Sequence, residues 1–98
     1  MSNYRNKKLL KLAKECPKCM LCGEFRPVVA AHSNQLRDGK GKGIKAHDYR
    51  IAYLCNGCHM AIDQGAVYSK ATRIELWEQA HRDTIAWLFE NGHLEVKD

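Results

Sequence analysis

Cys16-Pro17-Lys18-Cys19-Met20-Leu21-Cys22-Gly23 and Cys55-Asn56-Gly57-Cys58-His59 are the stretches on which the fold turns, with 32 residues between Cys22 and Cys55. A C-x-x-C turn lets two thiolates reach one ion from the same side. Two such turns complete a tetrahedron of soft ligands, the arrangement zinc favours. Cys19, Cys22, Cys55 and Cys58 are the expected ligands, because Gly23 follows Cys22 as a glycine typically follows a knuckle turn. Cys16 is then the spare thiol, and Cys16 in place of Cys19 is the alternative set. A disulfide framework fits less well: the chain has five cysteines, an odd number, and Met1 to Ala13 lacks the apolar segment of a secretory signal.

Outward from the cysteines, size explains why a metal is needed. The chain has 98 residues, enough for one domain and too few for a second core or a doubly wound dinucleotide-binding sheet. Ordering such a chain costs on the order of 100 to 200 kcal/mol of conformational entropy. A structural zinc site contributes roughly 10 to 16 kcal/mol of apparent binding free energy at neutral pH, which offsets a thin core. Charged residues make up 28% of the chain and the mean hydropathy is −0.51. No apolar run approaches the roughly 18 residues of a membrane span, so the expectation is a cytoplasmic protein with no membrane partner.

Charge is unevenly spread. Residues 1–50 carry 12 Lys/Arg against 4 Asp/Glu, a balance of +8, whereas residues 51–98 carry 4 against 7, a balance of −3. The basic half calls for a polyanionic partner, of which nucleic acid is the commonest.

Local patterns supply the elements. Asn6 to Lys14 reads as a short basic helix with interleaved leucines, ended by Pro17. Pro27-Val28-Val29-Ala30-Ala31 reads as a strand, and Ile51-Ala52-Tyr53-Leu54 as a second strand that runs into Cys55. Between them, Leu36 to Asp48 holds Gly39, Gly41 and Gly43 and reads as a loop. His59 to Gln64 suits one or two helical turns stopped by Gly65. A capping box at Thr72-Arg73-Ile74-Glu75, with Ser69 as an earlier cap, opens a long helix over about 70–91 that ends at Asn91-Gly92. Its stripe of Ile74, Trp77, His81, Ile85 and Leu88 is scaffold. The fold class is therefore α+β: a zinc-stabilised ββα unit over about 16–65, flanked by N- and C-terminal helices in a single domain of residues 1–98.

Three groups carry chemistry. His32 stands at the end of the first strand. His59 and Asp63 lie at i and i+4 on the short helix and so project from one face; a helix pinned through Cys58 preorganises them. Imidazole plus carboxylate, with positions left for water and substrate oxygens, suits a second divalent cation. The loop glycines let backbone approach a phosphate, and Lys40, Lys42, Lys45 and Arg37 add charge. The loop is not a Walker motif, because G-x-x-x-x-G-K-[ST] is absent.

Taken in order, Cys19-x-x-Cys22-Gly23, Ala31-His32, Gly41-x-Gly43-x-Lys45-x-x-Asp48 and Cys55-x-x-Cys58-His59-x-x-x-Asp63 resemble the HNH (His-Me finger, ββα-metal) endonucleases. More closely, the chain is similar to small nucleases of that group encoded by phages and prophages. The resemblance covers Cys16 to Gly65. It implies that His32 is the general base, that His59 holds the catalytic metal with Asp63 as an added ligand, and that Asp48 is the middle residue, often Asn, that orients the base. It implies Mg²⁺ or Mn²⁺ as the catalytic cofactor beside structural zinc, DNA as substrate, and a role in phage or prophage DNA metabolism or recombination in a bacterial host's cytoplasm. A second copy of the chain or a recombination protein is the expected protein partner. Ala31 stands where many members have an acidic ligand.

Other readings attach to the same residues. His59, next to Cys58, offers an imidazole that would displace one thiolate at zinc, and Asp48 suits a cap on the turn into the second strand. A non-catalytic zinc module that binds nucleic acid needs only the lysines and arginines. An interaction adaptor needs an exposed apolar face on the long helix, with Trp87 off its main stripe.

Overall fold

A computed structural model describes residues 3–65 and 67–97. The order is α1 (Lys7–Lys11) running into a 3-10 turn (Leu12–Glu15), β1 (Val29–His32), a 3-10 turn (Leu36–Asp38), β2 (Ile51–Leu54), α2 (Asn56–Gln64) and α3 (Lys70–Glu90). The architecture is α+β, with a two-stranded antiparallel sheet in which Val29 faces Leu54 and His32 faces Ile51.

The first helix is shorter than the leucine pattern predicts. Asn6 is its cap, accepting from the Leu9 N–H at 3.1 Å, and its last turn tightens to 3-10. The physical cause is Pro17, which disfavours helical geometry in the residue before it; Cys16 is extended, with φ −82° and ψ 120°. The first strand likewise begins two residues later than expected and includes His32. Its partner ends at Leu54, so residues 27 and 28 have no facing strand, and Pro27 has no N–H to give.

Tyr53, at the centre of β2, ties the other elements together. Its N–H donates to Thr84 Oγ1 of α3 (2.9 Å), its carbonyl accepts from the Met20 N–H of the first cysteine turn (2.9 Å), and its hydroxyl donates to the Leu9 carbonyl of α1 (2.7 Å). Burial pushes its phenol up to about 12. A two-stranded sheet has exposed edges that need cover, and α3 supplies it: His81 Nδ1 donates to the Ile51 carbonyl at 2.7 Å beside the Thr84 contact. Trp77 Nε1 reaches the Ala31 carbonyl at 3.1 Å. All four residues of β2 are consequently buried, with Leu88 and Ala80 of α3 packed into the same core.

The structure decides between the two caps offered for the long helix and moves the start of the short one. The cap of α3 is Ser69, whose hydroxyl accepts from the Thr72 N–H, so Thr72 and Glu75 lie inside the helix. Helix α2 begins at Asn56, not His59, with Cys55 as its cap and Gly65 (φ 68°) as its stop; the second C-x-x-C is itself the first helical turn. No helix among the described residues is long and apolar enough to cross a membrane.

Candidate functional site

The sulfurs of Cys19, Cys22, Cys55 and Cys58 lie within 4.8 Å of one another. Four thiolates around one zinc at 2.3 Å would stand ~3.8 Å apart, so the donor set suits a tetrahedral ion with small adjustments. The first turn is shaped by Gly23 N–H donating to the Cys19 carbonyl and Cys19 N–H donating to the Glu24 carbonyl, both at 3.0 Å. Gly23 has φ 76°, a conformation few other residues accept. Burial pushes the Cys19 thiol up, but the Cys55, Cys22 and Leu21 backbone N–H groups outweigh it and bring the thiol down to about 7. Burial raises the Cys58 thiol. One sulfur is thus ready to ionise near neutral pH, and a bound cation would favour the thiolate form of the rest.

Cys16 stands outside the cluster; its Sγ faces the Lys18 carbonyl at 3.2 Å. Nor does His59 join it, because its Nε2 meets Asp63 Oδ2 at 2.9 Å. The four-sulfur group links the first knuckle to the β2–α2 junction, fixing where α2 starts.

His32 ends β1 with its Nε2 2.8 Å from Asp48 Oδ1. The Asp48 side chain is 3% exposed and the His32 side chain 14%. Arg5 Nη1 donates to the same Asp48 oxygen at 3.0 Å, and the Asn6 N–H donates to the other at 2.6 Å. Burial alone would raise the Asp48 carboxyl; the His32 contact, the Asn6 N–H and the Arg5 charge prevail and hold it below the usual carboxylate range. An ionised Asp48 accepts from Nε2–H, which leaves Nδ1 of a neutral His32 unprotonated. That nitrogen has no hydrogen bond among the described residues.

The pair on α2 is more open, with side chains 33% exposed for His59 and 39% for Asp63. Asn34, two residues beyond His32, donates from Nδ2 to Asp63 Oδ1 at 2.9 Å. This bond runs from the β1 exit to α2. The two halves of the candidate site do not pack into a second tight cluster: among the described residues, the four cysteines are the only group of three or more His, Cys, Asp or Glu side chains placed to hold one metal ion.

No family model, curated protein or solved structure matches the chain.

Of the basic residues, Arg37 turns away from the glycine loop and pairs with Glu78 of α3 at 3.3 Å. Lys40 Nζ donates to the Gly41 carbonyl, and Lys40, Lys42 and Lys45 have no carboxylate within 4 Å among the described residues. The loop is tied down from behind by the N-terminal arm. Asn3 Nδ2 donates to the Gly39 and Lys45 carbonyls at 2.7 and 2.8 Å, while Arg5 donates to the Ala46 and Lys45 carbonyls. Gly39 (φ 91°) leaves room for this strap: a Cβ there would sit 3.0 Å from Asn3 Nδ2 and 2.9 Å from the His47 ring. Sequence reasoning missed Arg5, Asn6 and Asn34. Their partners lie 43, 42 and 29 positions away, and no local pattern encodes such contacts.

Proposed function

We propose that the protein is a metal-dependent DNA endonuclease of the HNH (His-Me finger, ββα-metal) type, held together by a structural zinc at Cys19, Cys22, Cys55 and Cys58, and serving phage or prophage DNA metabolism. The observation that carries the reading is the buried Asp48 carboxylate at 2.8 Å from Nε2 of a strand-end imidazole. Such an arrangement fixes one tautomer and stabilises the imidazolium that forms when the ring accepts a proton. In this reading His32 Nδ1 takes the proton of a water beside the phosphodiester, and Asp48, itself held by Arg5 and Asn6, keeps the ring aimed.

His59 and Asp63 are the chain's residues for a catalytic Mg²⁺ or Mn²⁺. Their donors are a nitrogen and a carboxylate oxygen, half-open to solvent, which fits an ion that keeps water and substrate oxygens as further ligands. When bound, such an ion would supply charge stabilisation at the phosphate and the departing oxygen. Asn34 would orient Asp63 through its 2.9 Å hydrogen bond. The unpaired lysines at positions 40, 42 and 45 would hold the DNA backbone.

Plasmid nicking in Mg²⁺ or Mn²⁺ tests the proposal. Loss of a positioned general base costs about 10² to 10⁴ in rate, so His32→Ala should abolish nicking while zinc content stays the same. DNA binding without cleavage in any divalent ion would refute the enzyme reading in favour of a nucleic-acid-binding zinc module.

A further inference from the structure

Beside the candidate site lies a cavity of about 380 Å³ between the turn after β1, the end of α2 and the start of α3. Its size falls in the range of small-ligand pockets, roughly 300 to 1,000 Å³. Leu36, Ile62 and Trp77 contribute apolar walls, and Arg37, Lys70 and Arg73 bring three cations. Neither Lys70 nor Arg73 has a carboxylate within 4 Å among the described residues. Arg73 Nη1 donates to the Ile62 carbonyl, and its buried Nε has no partner among the described residues. Of the nearby acids, Asp63 is bonded to Asn34 and His59, and Glu78 accepts from Gln35 at 2.8 Å and pairs with Arg37, so the surplus charge rests on Lys70 and Arg73. Apolar walls with surplus positive charge call for a ligand that is apolar in one part and anionic in another.

The cavity adjoins the proposed active site. Asn34 lines it while holding Asp63, and Ile62 is the neighbour of Asp63 on α2. We infer that this cavity is a nucleotide subsite, which takes the base of the nucleotide adjoining the scissile phosphate against its apolar wall and the next phosphate between Arg37, Lys70 and Arg73. The inference rests on the endonuclease reading for its substrate. It adds that the DNA is engaged with one nucleotide unstacked from its neighbours, as at a single-stranded stretch, because a base inside a duplex would have no access to the wall.

The test uses the zinc-loaded full chain with no other divalent ion, so that nothing is cut. The probes are the thymidine tetranucleotide, thymidine 5′-monophosphate and inorganic phosphate, and the readout is the Trp77 indole N–H signal, assigned by its loss in Trp77→Phe and its survival in Trp87→Phe. Lys70→Glu combined with Arg37→Gln removes two of the cations. An acid in the first turn of α3 favours the helix, so the variant should fold. The tetranucleotide should shift the Trp77 signal, the double variant should weaken its binding at least tenfold, and the monophosphate should bind at least tenfold more tightly than inorganic phosphate. In nicking assays the double variant should lower kcat/KM on single-stranded substrate. A tetranucleotide that leaves Trp77 unmoved, or phosphate binding as tightly as the nucleotide, overturns the subsite even if the protein cuts DNA. A Trp77 shift lost in the double variant, in a protein that cuts nothing, upholds the subsite and overturns the endonuclease reading.

Discussion

Asp48 shows how much one side chain can hold. Its two oxygens take His32, Arg5 and the Asn6 N–H, joining the N-terminal arm to the end of β1. Because its folded-state carboxyl is held below the ordinary value of about 3.9, the stabilisation it brings is complete above that value and fades as pH falls through the lowered one. Asp48→Asn should therefore be less stable than the parent at pH 6, with the gap holding down to the ordinary carboxylate value of about 3.9 and narrowing only below it in urea titrations. A constant gap would show that the charge is not what matters. The same variant should lower nicking by about 10² or more, since an amide can present its NH₂ to the ring and allow the wrong tautomer. Residue-level chemistry is also where the sequence was most legible. The choice of Cys19, Cys22, Cys55 and Cys58 over Cys16 came from a glycine and a spacing, and the clustered sulfurs match it.

At the scale of elements, the decisive relation is between α3 and the open edge of β2. Thr84 Oγ1 accepts from the Tyr53 N–H while donating to the Ala80 carbonyl at 2.8 Å, and it is fully buried. Thr84→Val keeps the shape and removes the acceptor, leaving a buried N–H unpaired. The expected cost is about 1 to 3 kcal/mol in chemical denaturation, and Thr84→Ser, which keeps the hydroxyl, should lose less. Helical periodicity put Trp77, His81 and Leu88 on one stripe, but it could not assign His81 and Trp77 to backbone carbonyls of the sheet. The second tryptophan, Trp87, is half-buried: it packs edge-on against Tyr53 with centroids 6.1 Å apart and lies 5.0 Å from His93. The start of α2 was misjudged, since Cys55 caps it and begins the helix three residues early, whereas the earlier of the two caps offered for α3, Ser69, is the one used.

For the whole molecule, the metal and the charge balance make separate predictions. Chelation of the thiolate-bound ion should unfold the chain cooperatively, and Cys55→Ser should reproduce that loss, because metal binding free energy is folding free energy in so small a protein. Cys16→Ala should retain one equivalent of metal, whereas Cys22→Ala should not; retention in both would displace the four-sulfur assignment. DNA affinity should fall steeply with salt. Replacing Lys40, Lys42 and Lys45 together by Ala should flatten the slope of log affinity against log salt by about 2 to 3, at ~0.9 for each phosphate left without its lysine.

The amino-acid sequence by itself determined the α+β class, two C-x-x-C turns able to share a metal, both strands to within two residues and the long C-terminal helix, because these follow from spacing and periodicity along a few neighbouring residues; that Cys19 and not Cys16 joins the cluster needed the tertiary structure. Tertiary structure alone decided that Asp48 is buried against His32, that Arg5 and Asn6 hold it, that Asn34 reaches Asp63, and that Arg37 faces α3 instead of the glycine loop. Each of those contacts joins segments far apart in the chain, and the energy of a buried charge or an edge hydrogen bond exists only once packing has excluded water from both partners.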